Sequence, residues 1–129
     1  MKNKMFNFKF INTGSTRLVF LIGQYAIKIP RCFTKVEDSF HGRLYGFLKG
    51  WLSNRHEYNY SKANLYDFLL PVKLSLLGSI IIIMKRAEPI TREEFFSLKE
   101  EDYNFGGYEF KEDSFGKINN KIFIVDYGN

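Results

Sequence analysis

Arg17-Leu-Val-Phe-Leu-Ile22, Gly23-Gln24 and Tyr25-Ala-Ile-Lys-Ile-Pro30 form the stretch that decides the fold. The first six residues, β-branched and apolar, read as a strand. Gly23-Gln24 reads as a tight turn, and Tyr25 to Ile29 as a second strand stopped by Pro30, which has no N–H for a ladder. Working upstream, Phe6, Phe8 and Phe10 alternate with Asn7 and Lys9, the period-two pattern of a half-buried strand. Asn12-Thr13-Gly14-Ser15-Thr16 is a turn cluster between the two. Three antiparallel strands joined by short turns make a β-meander.

Working downstream, residues 36–63 read as helical. Leu44, Phe47, Leu48, Trp51 and Leu52 fall on one apolar face, expected to pack inward. Gly42, Gly46 and Gly50 weaken that helix, at roughly 1 kcal/mol each relative to Ala, so a break is expected, with a second piece from Ser53 to Lys62. Leu69 to Leu76 and Ser79 to Met84 are two further strands, and Lys85 to Ile90 is a polar link. Thr91 with Glu94 three residues on forms a capping box that starts a short helix. Residues 100–114 look irregular. Lys117-Ile118 and Lys121 to Val125 form a hairpin about Asn119-Asn120, residues that tolerate positive φ. The expected class is α+β: a five-stranded antiparallel sheet with one main helix, followed by a short helix and a β-hairpin. The 129 residues suffice for one domain, read as residues 1–84 and a second portion, 85–129.

Composition narrows the classes. Apolar residues make up 45% of the chain, as in globular proteins. Nineteen Lys and Arg against fourteen Asp and Glu leave a charge of +5, which favours phosphate-bearing or acidic partners. The basic residues are scattered, with no long run. Cys32 is alone, so no internal disulfide forms and a reducing compartment is expected. His41, His56 and one Cys do not make a metal cluster. Met1 to Phe10 lacks the apolar stretch of a signal peptide. The run Ile80 to Met84 is too short to span a bilayer. The expectation is a cytoplasmic protein with no membrane partner.

The element order and a set of residues resemble the protein kinase superfamily: its N-terminal lobe plus a remnant of the second lobe. Asn12 to Val19 lies where kinases carry the glycine-rich phosphate loop. Tyr25-Ala26-Ile27-Lys28 is similar to the strand-three Val-Ala-Ile-Lys pattern. Asn54-Arg55-His56-Glu57 lies where the family has its Lys-pairing Glu, and Ile80 to Ala87 resembles strand five running into the hinge. Ile122 to Gly128 is similar to the strand that ends in Asp-Phe-Gly, here Asp126-Tyr127-Gly128. The resemblance implies ATP and Mg²⁺ as cofactors. It places Gly14, Ser15, Thr16, Lys28, Glu57 and Met84 around the nucleotide and Asp126 on the metal.

The chemistry has its own logic. A Lys on a rigid strand sets one ammonium against phosphate oxygens, and a buried Lys needs a counter-charge such as Glu57. An Asp just past a buried strand can hold Mg²⁺ at a cleft mouth. The plainer alternatives are a Lys28 that snorkels at a strand edge, a solvated Glu57, and an Asp126 that only turns the chain before Gly128.

The chain also departs from the family. Its phosphate loop has one glycine, Gly14. At Asp113-Ser114-Phe115-Gly116, Ser114 stands where the metal-binding Asn would be, so Ser114 or Asp113 is the candidate second metal ligand. Five residues back lies Glu109, the candidate catalytic base alongside Asp126, with no His or Arg before it. Three functions are therefore open. The preferred one is a pseudokinase that binds nucleotide or docks a protein partner, or a second copy that completes the cleft. Its Lys-, Asn-, Phe- and Ile-rich composition resembles proteins of small AT-rich genomes, viral and phage accessory proteins included, for which the compartment would be the host cytoplasm. The second is an active, minimal ATP-dependent phosphotransferase. The third is a small basic nucleic-acid-binding protein using Phe6, Phe8, Phe10 and neighbouring Lys.

Overall fold

The computed structural model describes residues 8–11, 17–31, 40–64, 66–106 and 108–127. Phe6, the turn cluster 12–16 and the expected helix start near residue 36 lie outside them.

The opening meander forms as its alternation requires. β1 (Phe8–Ile11), β2 (Arg17–Ile22) and β3 (Tyr25–Pro30) pair antiparallel in sequence order. Phe10 stands opposite Phe20, and their rings stack at 4.9 Å, a cross-strand pair on the outer face. Helix α1 (Phe40–Ala63) follows, then β4 (Val72–Leu76) and β5 (Ile81–Lys85). β5 inserts beside β3, which gives one antiparallel sheet in the order β1-β2-β3-β5-β4. The α+β class and the five-stranded sheet with one main helix are thus as expected.

Three local readings need correction. First, α1 is one continuous helix of 24 residues, unbroken at its glycines. Second, its face is reversed. Gly46, Gly50, Ser53, Asn54 and Glu57 are buried, while Leu44, Leu48 and Leu52 stay exposed. The inward positions are small or hydrogen-bonding, and they let the helix address strand backbone directly: Asn54 Nδ2 donates to the carbonyls of Lys28 (3.2 Å) and Ile80 (3.0 Å). The apolar periodicity was real but marked the solvent side. Third, the polar link contains β6 (Glu88–Pro89), which pairs with β7 (Phe115–Ile118). With β8 (Lys121–Ile124) these make a second, three-stranded sheet, β6-β7-β8.

The small devices fall where their chemistry puts them. Helix α2 (Arg92–Phe96) begins with a complete capping box: Glu94 N–H donates to Thr91 Oγ1 at 3.0 Å, and Thr91 N–H to Glu94 Oε1 at 2.8 Å. Asn119 and Asn120 both take positive φ, 52° and 68°, as a two-residue hairpin turn requires. Residues 100–103 and 112–114 form short 3₁₀ turns inside the stretch that looked irregular.

The apolar core joins the two sheets. Ile82 and Met84 of β5 meet Phe115 of β7, Ile124 of β8, Leu69, Leu70, Ile90 and Tyr127. Phe115 is ringed edge-on by Tyr103 (5.2 Å), Tyr108 (5.7 Å) and Phe110 (5.6 Å), geometry that suits the ring quadrupole. Among the described residues no helix is long and apolar enough to cross a membrane.

Candidate functional site

β3 alternates, and its inward positions are Ala26, Lys28 and Pro30. That alternation drives Lys28 toward α1, where the residue is 6% exposed. A buried ammonium needs a counter-charge. Glu57 supplies it from the inner face of α1, fully buried and 2.9 Å from Lys28 Nζ.

The end of the chain enters the same crevice. β8 pairs with β7 on one side and with the 68–70 segment on the other: Ile124 N–H donates to Phe68 O (2.7 Å), and Leu70 N–H donates to Ile124 O (3.0 Å). Val125 N–H then donates to Ser114 O at 2.8 Å. These bonds aim Val125, Asp126 and Tyr127 at Lys28 and Glu57. Lys28 Nζ donates to Val125 O at 2.7 Å, and Tyr127 N–H donates to Glu57 Oε2 at 3.0 Å. The Tyr127 ring is buried, and its hydroxyl donates to Leu70 O.

A fourth charged group completes the cluster. Arg17, the first residue of β2, is 7% exposed. Its Nη2 donates to Glu57 Oε2 at 2.7 Å and to Asp126 Oδ1 at 2.6 Å, and its Nη1 donates to Asn54 Oδ1 at 3.2 Å. Two cations and two carboxylates thus interlock, three of them buried and Asp126 41% exposed at the side chain.

The electrostatics follow from this packing. Burial raises the Glu57 carboxyl, but Arg17 and Lys28 together overcome it and hold the pKa down at about 2. Burial likewise opposes the Arg17 charge, yet Glu57 and Asp126 leave its pKa above the ordinary value. Lys28 goes the other way. Burial lowers its pKa, attraction to Glu57 only partly offsets that, and the neighbouring Arg17 charge lowers it further. The carboxylate at the centre is therefore firmly ionised, and of the two cations Arg17 holds its proton the more tightly.

The structure brings together Lys28, Glu57 and Asp126, the three residues that the kinase resemblance implies around one crevice. The plain alternatives of a snorkelling Lys28 and a solvated Glu57 do not describe these buried groups. The other candidates are placed differently. Gly14, Ser15 and Thr16 lie outside the described residues. Met84 is 1% exposed within the apolar core. Ser114 is buried and holds Val125 through its carbonyl. Asp113 is exposed in the 3₁₀ turn at 112–114, and Glu109 is exposed with Lys111 Nζ 3.8 Å from its carboxylate. Neither of these acids makes a hydrogen bond or ion pair with the four charged groups.

Arg17, Asn54 and Tyr127 were the residues that sequence reasoning did not assign. Asn54 carried a signal, being three positions before Glu57 and so on the same helix face. Arg17 carried little, since a basic residue at a strand start is ordinarily solvated.

As arranged, three of the four carboxylate oxygens are already engaged by protein donors. The Glu57 oxygens accept from Arg17, Lys28 and Tyr127 N–H, and Asp126 Oδ1 accepts from Arg17. Among the described residues no three of His, Cys, Asp and Glu gather as a metal cluster. Comparison with protein-family models, with curated proteins and with solved structures finds no match.

Proposed function

We propose that the chain is a kinase-like module that acts by docking, with its cleft charges closed on one another where a catalytic relative would hold metal and nucleotide. The observation that supports this reading is the Arg17 guanidinium, which donates to Glu57 and Asp126 at once. A metal–nucleotide taking Asp126 Oδ1 competes with an arginine that Asn54 and buried Glu57 also hold in place. The bond to partly exposed Asp126 is itself worth at most about 1 kcal/mol, but drawing the guanidinium away from buried Glu57 as well would cost several kcal/mol.

Thermal melting with and without Mg·ATP, run beside a phosphoryl-transfer assay from γ-labelled ATP, tests the proposal. The expected result is an unchanged melting temperature and no label on any acceptor. Ligand at a hundred times its Kd would stabilise the folded chain by about 2.7 kcal/mol, several degrees in a domain of this size. A rise of that order, or label transfer that disappears in Asp126→Ala, overturns the proposal.

A further inference from the structure

Helix α1 turns its small residues inward and its leucines outward. Leu44, Leu48 and Leu52 are 46%, 42% and 46% exposed, half a turn around from buried Gly46, Gly50 and Glu57. The same outer ridge continues into Arg55 and Lys62, at successive i+3 and i+7 positions. The helix has one acid, Glu57, and it is buried, so the charge on the outer face is cationic. Three of its cations rest over a ring four residues earlier: Lys49 over Tyr45 at 5.3 Å, Arg55 over Trp51 at 5.6 Å, Lys62 over Tyr58 at 6.0 Å. These contacts hold the charges on the surface. Among the described residues none of the three has a carboxylate within ion-pair distance.

We propose that this face docks an acidic amphipathic helix of a partner protein, its apolar end on Leu44, Leu48 and Leu52 and its carboxylates on Arg55 and Lys62. The ridge from Leu44 to Lys62 spans about 27 Å at 1.5 Å per residue, a partner helix of about 18 residues. Unmatched charge on the ridge selects the partner's sign. A lipid surface suits it less well: a helix lying in the interface keeps cations flanking its apolar stripe, whereas Arg55 and Lys62 stand in line with the leucines and would be driven toward hydrocarbon. A second copy suits it less well too, since three leucines a side fall short of the roughly 800 Å² per partner of a stable interface and the copy's helix offers no exposed acid.

The inference rests on the docking proposal, and the probes are two synthetic peptides of 18 residues. Both carry leucines at one end of a helical ridge. One carries Glu at the other end, its control Lys. Trp51, the single tryptophan, lies on this helix and reports binding by fluorescence, with anisotropy of labelled peptide as a second reading. The acidic peptide is expected to bind at least about tenfold tighter than the control, more weakly as salt rises. Leu48→Glu should abolish binding, with the melting temperature unchanged because the site is exposed. The double variant Arg55→Glu, Lys62→Glu should reverse the preference in favour of the Lys peptide. Equal binding of both peptides, or of neither, overturns the inference. So does capture by phosphatidylserine vesicles that displace the peptide, or a dimer in sedimentation that Leu48→Glu dissolves. If the peptides fail while Mg·ATP leaves the melting temperature unchanged, this face is wrong and the docking proposal stands. If Mg·ATP raises it, the docking proposal fails whatever the peptides do.

Discussion

Replacing Glu57 by Gln keeps shape and removes one charge from the centre of the cluster. Glu57 is fully buried and accepts from Arg17, Lys28 and the Tyr127 N–H. In the variant, Arg17 and Lys28 share one carboxylate, Asp126, which is partly exposed and, among the described residues, bonded only to Arg17. Two routes give the size of the loss. Breaking a buried ion pair from one side costs about 3–5 kcal/mol. A carboxyl held at about 2 rather than the ordinary 4.5 is worth on the order of 3 kcal/mol at neutral pH. Their agreement predicts a fall in melting temperature on the order of 10 °C and a urea midpoint lower by about 2 M. Asp126→Asn is the internal control, because a partly exposed pair is worth at most about 1 kcal/mol. Denaturant titrations of both variants, followed by far-UV circular dichroism, decide the matter. A cost below about 1 kcal/mol for Glu57→Gln, or an equal cost for Asp126→Asn, would mean that the buried carboxylate does not anchor the cluster.

The same carboxyl sets an acid limit. Its folded pKa is depressed, so the stabilisation is complete above about 4.5 and drains away as pH falls toward about 2; urea midpoints across that window should decline in the wild type and stay flatter in Glu57→Gln. Gly116→Ala would set a Cβ 2.6 Å from Ala87 Cβ and 3.0 Å from Val125 Cγ1, and a loss of about 1–3 kcal/mol in thermal melting is expected from that overpacking. Tyr127→Phe leaves Leu70 O without its buried donor and should cost about 1–2 kcal/mol; an unchanged midpoint would show that Leu70 finds another partner.

What the sequence made legible was what local physics determines. The meander, the capping box at Thr91 and the Asn119-Asn120 turn each depend on residues within a few positions of one another. Lys28 and Glu57 were paired in advance by their likeness to the kinase strand-three Lys and helix Glu, and a buried ammonium does need such a counter-charge. The face of α1 was misread for a physical reason. Periodicity reports that leucines share a side, and it is silent on whether the sheet or the solvent takes that side. Here glycine, Ser53 and Asn54 made the better contact with strand backbone. Arg17 was out of reach because its role depends on two acceptors 40 and 109 positions away. β6 escaped notice since its two residues, Glu88 and Pro89, have no strand signature and pair only because β7 passes beside them.

The Val125-to-Tyr127 segment, pinned by Lys28 and Glu57, also bears on the order in which the molecule assembles. Contacts between positions 28 and 125, or 17 and 126, close loops of nearly the whole chain, and such closures come late because their entropy cost grows with length. The β2–β3 hairpin should therefore organise first and the charge cluster last. Kinetic mutagenesis would register this as unfolding sped by Tyr127→Phe with folding untouched, the reverse of what a change at the Gly23-Gln24 turn would do. Equal effects of both changes on the folding rate would contradict that sequence of events.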